Sequence, residues 1–419
     1  MILPRLPGSR ARHWRLRPLL RSSGILAFLG AALSASAQSI VTAPPAPSEP
    51  PPGLFSSSNG PGSIARTSAP FQWGAVGIRP HAFYRITRGD GIQASRGQQT
   101  TTTIQHVSAG LGFDLGRRWS ADYTISRILY SSQAFSSELN HDFRLDGQAS
   151  FTDGTLSFSQ AYATSNSPRI ETGRQTKEES SSTSVSVDYS LGERTGVSVT
   201  GSQNLRYIGG APNAYEWALL SAFNYQFTRR LNAAAEVGVG YVDVDPGIDM
   251  TFVRPQVRVS WRPTGKLGFS VYAGREQRQF RQAGSANLSS PTYGASGSYQ
   301  PFAATTLTLS AQRGISVSYF ADQVNESTSW SLGLNQRLLT VLNFNASASR
   351  SNRTYIPSGR STIVVLREDT AYSYNFRLST RILRRGSIGV VYQHTRNASD
   401  ATGFGFSSNQ VGLEVGYRY

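Results

Sequence analysis

The chain has 419 residues, of which 38% are hydrophobic and 16% are charged, and its mean hydropathy of −0.31 excludes a helical membrane protein. It contains no cysteine and five histidines, so disulfides and thiolate metal sites are excluded, and no metal or other cofactor is expected. The formal net charge is +16, but six arginines precede the first acidic residue. The other positive charges are spread along the chain, which argues against a nucleic-acid partner.

The first 37 residues have the features of a secretory signal peptide. A basic stretch ends at Arg21, an apolar run extends from Gly24 to Leu33, and an Ala-x-Ala pattern ends at Ala37. The apolar run has about ten residues, fewer than the ~20 that a membrane-spanning helix needs. We therefore expect residues 1–37 to be cleaved after export.

Residues 38–70 are rich in proline, serine and glycine. They contain too few apolar residues to form a core, so they are predicted to be a disordered periplasmic arm. The remaining residues, 71–419, form the third predicted region.

From residue 71 onwards, segments of alternating apolar and polar residues follow one another. Residues 106–116 place five apolar side chains on one face, residues 119–130 do the same after a short turn, and Asp153-Gly154 is a strong hairpin signal. Nine longer polar stretches, among them 88–102 and 166–181, alternate with eight short turns. This pattern predicts about eighteen strands (range 16–18), from near Gln72 to Tyr419, with both ends on one side.

The row opposite the apolar row is strongly polar on every segment. In residues 371–382, tyrosine, phenylalanine, leucine and isoleucine alternate with serine, asparagine and arginine. Trp119 and Trp261 are predicted beside short turns, and Trp217 and Trp330 beside longer loops, as two aromatic girdles require. The sequence predicts an all-β fold, a transmembrane antiparallel up-and-down β-barrel with short periplasmic turns and longer extracellular loops. A soluble all-β protein is the competing interpretation.

The C-terminal sequence "VGLEVGYRY" resembles the assembly signal of Gram-negative outer-membrane β-barrels of the porin type. The positions that carry the resemblance are Val411, Leu413, Val415, Tyr417 and Tyr419. The resemblance implies a Gram-negative outer-membrane location, contact with membrane lipids, and recognition of the last strand by the barrel-assembly machinery. We also expect the last strand to pair with the first one, near residues 72–87, and Tyr419 to lie in the periplasmic girdle.

A barrel of this size leaves an aqueous lumen that the polar row lines. The predicted pore-lining residues are Arg144, Arg206, Arg254, Arg258, Arg262, Arg278, Arg337, Arg377, Arg381, Arg418 and Glu414. Because arginines outnumber carboxylates in this row, one hypothesis is a passive channel for small hydrophilic solutes that prefers anions. The other is a hydrated lumen of paired charges without selectivity.

Three further functional classes compete with the passive channel. An exit pore for an anionic exopolysaccharide also fits an arginine-rich lumen, and a structural or adhesive barrel without an open pore fits the Ser/Thr-rich loops. Catalysis is not expected, because His106, His141 and His394 lie within strands and the sequence has no nucleophile elbow or paired-carboxylate signature. The sequence defines neither the solute nor the oligomeric state.

Overall fold

The computed structural model describes residues 71–419 except 283–284, 286, 322, 340, 359–366 and 383–384. The predicted signal peptide and periplasmic arm lie outside the described residues and stay predictions. Among the described residues, no helix is long and apolar enough to cross a membrane.

Nineteen β-strands make up the described part of the chain. Their bounds are β1 Phe71–Trp73, β2 Val76–Ser95, β3 Gln98–Leu115, β4 Trp119–Tyr130, β5 Leu139–Phe151, β6 Gly154–Arg169, β7 Arg174–Ser190, β8 Thr195–Ile208, β9 Asn213–Thr228, β10 Leu231–Asp245, β11 Met250–Thr264, β12 Leu267–Phe280, β13 Leu288–Phe302, β14 Thr305–Val317, β15 Gln323–Leu338, β16 Leu342–Pro357, β17 Arg367–Ile382, β18 Gly386–Ser399 and β19 Phe406–Arg418.

Strands β2 to β19 form a closed antiparallel barrel of eighteen strands. Each pairs with the next along the chain, and β19 pairs with β2 from Asn409 opposite Asp90 to Arg418 opposite His81. The predicted strand number and the predicted pairing of the last strand with the first are therefore confirmed. Closure leaves no free sheet edge along the wall.

The short strand β1 is an addition to the eighteen. A turn through Gly74 (φ +60°) folds β1 back on β2, where Phe71 lies opposite Ile78 and Trp73 opposite Val76. The backbone N–H of Tyr419 donates to the carbonyl of Pro80 at 3.2 Å, so β19 ends just above this segment of β2. The ring centroids of Phe71 and Tyr419 are 6.3 Å apart.

The two faces of the wall differ as the alternating sequence predicts. Apolar side chains such as Val257 and Leu413 point outward and are more than half exposed, whereas the neighbouring inward carboxylate Glu414 is 1% exposed. Such a closed barrel with an apolar outer surface is the form in which β-strands cross a membrane, because every backbone polar group is paired.

Two stretches predicted as extracellular loops are strand extensions instead. Residues 88–102 belong mostly to the β2–β3 hairpin, and residues 166–181 mostly to the β6–β7 hairpin, which stays paired to Arg169 opposite Arg174. Their sequences lack an apolar row because these extensions leave the membrane, yet strand pairing needs only backbone hydrogen bonds. The prediction had equated polarity with the absence of strand structure.

The ends of the hairpins β6–β7 and β14–β15 separate from their neighbours and fold over the lumen. Pairing of β5 with β6 ends at Ala163, and pairing of β13 with β14 ends at Arg313. Beyond Arg313, β14 stays paired only with β15. There Ile315, Val317 and Val324 pack on inward-facing apolar side chains of β9–β12. Burying each of these side chains contributes roughly 1.5–3 kcal/mol, which fixes the hairpin against the inner wall.

Candidate functional site

Three of the predicted pore-lining residues, Arg254, Arg258 and Arg262, form a ladder on the inward row of β11, and two of them are paired with carboxylates of adjacent strands. Arg254 Nη1 lies 3.7 Å from Glu276 Oε2 on β12, and Arg258 forms an ion pair with Glu236 on β10. Both carboxylates are almost fully buried. The third arginine, Arg262, lies near a short turn and is exposed. The ladder is therefore a row of local ion pairs for most of its length, and its field on the lumen is weaker than its arginine count suggests.

A second charge cluster lies at the seam between the last and first strands. Glu414 accepts hydrogen bonds from Arg85 Nη2 at 2.9 Å and from Arg377 Nε. The carboxylate is 1% exposed, so two guanidinium groups share one buried negative charge. This cluster keeps a net positive charge and faces the lumen. The predicted pore-lining residues did not include Arg85.

Arg206 and Arg278 hold the inward-folded end of the β14–β15 hairpin. Arg278 bonds Glu276 and donates from Nη2 to the carbonyl of Ile315 at 2.9 Å. Arg206 donates from Nη2 to the carbonyls of Val317 and Ser318 at 3.1 and 3.2 Å. Both were predicted to line the pore, but their guanidinium groups hold a structural segment inside it.

The other predicted pore-lining arginines are at the half of the barrel that has the short turns. All five have exposed side chains: Arg144, Arg262, Arg337, Arg381 and Arg418. Arg144 lies 3.4 Å from Asp142 through its Nε. The lumenal arginines thus divide into a buried or half-buried set on the side of the long hairpins and an exposed set on the side of the short turns.

The predicted girdle tryptophans all lie on the outward row. Their side chains are 39–43% exposed. Trp119 and Trp261 are within three residues of a short turn, and Trp217 is four residues into β9 from a longer connection, but Trp330 is seven residues into β15. The prediction placed Trp330 too near the loop because β15 extends well beyond the apolar row, which begins at Trp330 and continues with Leu332.

The predicted assembly segment lies on the outward face of β19. Val411, Leu413, Val415 and Tyr417 are exposed there, and Glu414 points inward. The ring of Tyr419 contacts the guanidinium group of Arg385 and lies beside Phe71. The terminal tyrosine is therefore at the short-turn end, where a periplasmic girdle is expected.

The tip of the β6–β7 hairpin binds the tip of the β14–β15 hairpin across the lumen. Glu171 Oε1 accepts hydrogen bonds from Ser318 Oγ and from the backbone N–H of Tyr319, both at 2.7 Å. Glu178 Oε2 accepts one from the Tyr319 hydroxyl at 2.7 Å and lies 2.9 Å from Arg169 Nη2. Burial raises the pKa of Tyr319, partly offset by Arg169 and Arg206. We name the contacts of Glu171 and Glu178 with Ser318 and Tyr319 the hairpin latch.

Arg367, at the start of β17, holds the other side of the β6–β7 tip. It donates from Nη1 to the carbonyl of Glu171 at 2.8 Å and from Nη2 to the carbonyl of Ile170 at 3.2 Å. Its Nε bonds Asp369 Oδ1 at 2.9 Å, and its guanidinium carbon lies 3.6 Å from the ring centroid of Phe404. The tip is thereby held both by the β14–β15 hairpin and by β17.

The β2–β3 turn and the β18–β19 loop complete the covering of the mouth. The backbone N–H of Gly97 donates to the carbonyl of Gly403 at 2.7 Å, and Arg96 Nε donates to the carbonyl of Thr172 at 3.3 Å. The Arg96 guanidinium also lies over the rings of Phe320 and Phe404, with 5.5 and 4.6 Å to the centroids. Four extracellular connections therefore meet in one constriction.

A cavity of about 240 Å³ lies beneath the constriction, against β2–β4 and β17–β19. Arg85, Arg169 and Arg377 line it together with amide side chains such as Gln393 and apolar side chains such as Ile104. A second space of about 640 Å³ lies on the other side of the hairpin tips, beside Arg96, Arg174 and Tyr319. The constriction thus separates two water-accessible spaces, each with arginine in its wall.

The sequence prediction missed every member of the hairpin latch. Glu171 and Glu178 fell in a stretch predicted as loop, and Ser318 and Tyr319 adjoined another. One signal was present: residues 166–181 carry three carboxylates and three basic side chains among their serines and threonines. That signal does not identify the partner, because Glu171 and Ser318 are separated by 147 residues.

The histidines do not assemble a catalytic arrangement among the described residues. His141 Nδ1 bonds the Tyr123 hydroxyl, and His394 Nδ1 bonds Asn409, both on the outward face. His81 Nε2 lies 2.9 Å from Thr124 Oγ1, but that hydroxyl donates to Asp122, so His81 is not placed to take its proton. Within the described ranges, no cluster of three His, Cys, Asp or Glu side chains could hold a metal ion.

Residues 256–419, from within β11 to the C-terminus, match the family described as "Putative beta-barrel porin 2". Among solved structures, Pseudomonas aeruginosa OccK7 (OpdD) is 10% identical, with a TM-score of 0.44, covering 83% of this chain and 99% of that chain. P. aeruginosa OpdL is 12% identical, with a TM-score of 0.41, covering 82% and 98%.

P. aeruginosa OccK2 (OpdF) in complex with glucuronate is 11% identical, with a TM-score of 0.43, and the match covers 82% of this chain and 98% of that chain. No curated protein sequence matches the chain. The family match confirms the porin-type resemblance that the sequence indicates, over the part of the barrel that it covers.

Proposed function

We propose that this membrane-spanning barrel of the porin type is a passive outer-membrane channel for small hydrophilic solutes, with a preference for anions. The observation that carries the proposal is the constriction: a closed barrel with a polar inner row is narrowed by its own hairpins between two water-accessible spaces. A passage of this form admits small solutes and excludes large ones.

Two features support the anion preference. Arg85 and Arg377 share the single carboxylate Glu414, which leaves one uncompensated positive charge beside the cavity. The exposed lumenal arginines at the short-turn end add to it, and Arg337 and Arg381 are among them. In a narrow pore, fixed charges of one sign raise the local concentration of the opposite ion.

Ion selectivity in planar bilayers tests both parts of the proposal. With purified protein in a salt gradient, we expect single-channel conductance and a reversal potential of the sign that anion preference gives. R337Q/R381Q should move the reversal potential towards zero, whereas R229Q, a charge loss in the exposed β9–β10 turn, should not. Cation preference of the native protein would refute the anion preference, and absence of conductance would refute the channel.

A structural barrel without an open pore is the second candidate, because the hairpin latch is buried and held from several strands. Liposome swelling separates the two. Vesicles that contain the protein should swell in small neutral sugars at a rate that falls with sugar size. Vesicles that do not swell, even after the latch is broken, would favour the structural barrel.

A further inference from the structure

The outer surface carries arginines that the lumen does not use. Six strands that run towards the mouth carry an arginine on their outward face, immediately beyond the apolar side chains of that face. These residues are Arg88, Arg127, Arg275, Arg313, Arg350 and Arg396. On β16, for example, Ala346 and Ala348 precede Arg350. These side chains therefore lie where the lipid-facing surface ends on the extracellular side.

The register establishes the outward orientation residue by residue. Arg350 is the direct cross-strand partner of the outward Trp330 on one side and of Tyr372 on the other, and Tyr372 is in turn the partner of Arg396. Arg88 is paired with the outward Val411. Side chains directly opposite each other in an antiparallel pair lie on the same face of the sheet.

These guanidinium groups have free donors. Arg350 donates from Nε to Asn352 at 3.1 Å and lies over the Tyr372 ring at 5.5 Å, which leaves its terminal nitrogens uncommitted. In the part of the chain that the structure describes, Arg88 and Arg396 have no side-chain hydrogen bond or ion pair. Both are exposed.

Acidic side chains near this surface neutralise only part of it. Arg313 is paired with Glu326 at 2.8 Å, Asp90 follows Arg88 on the same face, and Glu368 lies on the outward row of β17. The opposite side of the barrel differs, because β7 and β10 carry acidic residues such as Glu179 and Asp243 beyond their apolar rows. The outward arginines beyond the apolar rows therefore lie on the arc from β12 through β19 to β4, whereas the outward Lys177 of β7 is paired with Glu138 at 3.0 Å.

We propose that the arc of Arg88, Arg350 and Arg396, with Trp330 and Tyr372, binds a phosphate-bearing lipid headgroup of the external leaflet. Guanidinium groups bind phosphate oxygens through two parallel N–H donors, and the aromatic rings occupy the interface beside them. The adjoining apolar row accommodates the acyl chains. A lipid bound there attaches one side of the barrel to its membrane, whether or not the lumen conducts.

The test measures lipid binding to the full-length protein, purified in a non-ionic detergent, by native mass spectrometry. The probes are diphosphoryl lipid A and its enzymatically dephosphorylated form, with inorganic phosphate as competitor. The native protein should bind the phosphorylated lipid preferentially. R88Q/R350Q/R396Q should lose that preference, with affinity falling about fivefold for each guanidinium removed, while R229Q should retain it.

The difference in gel mobility between unheated and heated samples in detergent checks that the variants are folded. If the triple variant does not fold, R350Q and R396Q are measured singly, each with the fivefold expectation. Equal binding of the two lipids by the native protein, or an unchanged affinity in the folded variants, would overturn the proposal. Complete displacement of the lipid by inorganic phosphate at equal phosphate concentration would show an anion site without lipid specificity and would overturn it as well.

Discussion

Breaking the hairpin latch at Glu171 should open the constriction. Glu171→Ala removes two hydrogen bonds to a carboxylate, from Ser318 Oγ and from the Tyr319 N–H, and all three groups are buried. A hydrogen bond to a charged group contributes roughly 1.5–3 kcal/mol, so the latched form loses about 3–6 kcal/mol relative to an open form in which water satisfies these groups. Since about 1.4 kcal/mol is tenfold, the ratio of open to latched molecules should rise at least about 100-fold.

Single-channel recording measures this ratio directly. If the native channel is open roughly 1% of the time, E171A should be open at least about half of the time. The matched control is Glu193→Ala, which removes an exposed carboxylate in the β7–β8 turn at the other end of the barrel. An E171A channel with native conductance and native open fraction would refute the assignment of the hairpin latch as the limiting constriction.

Three other perturbations test separate parts of the structure. Glu414→Ala leaves Arg85 and Arg377 without their shared carboxylate, and should lower the free energy of unfolding by about 3–5 kcal/mol, measured by urea titration in detergent. The open fraction of the native channel should increase above about pH 10, because a released Tyr319 ionises there whereas the latched Tyr319, with its raised pKa, does not. Tyr319→Phe should abolish this increase. Deletion of Tyr419 should reduce the fraction of protein that assembles in the membrane, measured by fractionation.

The sign of the pH effect follows from proton binding. The latched state holds the Tyr319 proton more tightly than the open state, so its advantage is complete below the ordinary tyrosine pKa and declines as the pH rises above it. A native channel whose open fraction fell above pH 10 would contradict this account. A urea midpoint of E414A equal to that of the native protein would contradict the predicted loss of stability. Normal membrane assembly without Tyr419 would contradict the predicted role of the terminal residue.

The strands of the barrel wall could be predicted from the sequence because each strand has its own alternating pattern of apolar and polar residues. Each strand that faces lipid on one side and water on the other must alternate, and the tight turns at 153–154 and 229–230 separate one alternating segment from the next. The closure of β19 on β2 followed from the even strand number. These features depend on neighbouring residues, so they can be read along the chain.

The constriction could not be read in the same way. Arg367 reaches a carbonyl 196 residues away, and no periodicity in either segment indicates that contact. The lumenal arginines were predicted from parity, but parity does not distinguish Arg262, which is exposed, from Arg278, which is buried against Glu276. The outward arginines, such as Arg350, were also missed, because the prediction placed the positive charges of the strands in the lumen.

The short strand β1 has a consequence for how the barrel closes. Pairing of β19 with β2 joins residues more than 300 positions apart, so it is the contact with the largest loop-closure entropy, whereas β1 folds on β2 through a two-residue turn. The β1–β2 hairpin can therefore form first and occupy the lower edge of β2. When β19 pairs with β2, Tyr419 contacts Phe71. A shift of β19 along β2 by two residues would keep its apolar row facing outward, but it would have to displace β1. Three residues thus act as a mechanical stop that sets the alignment of the final strand.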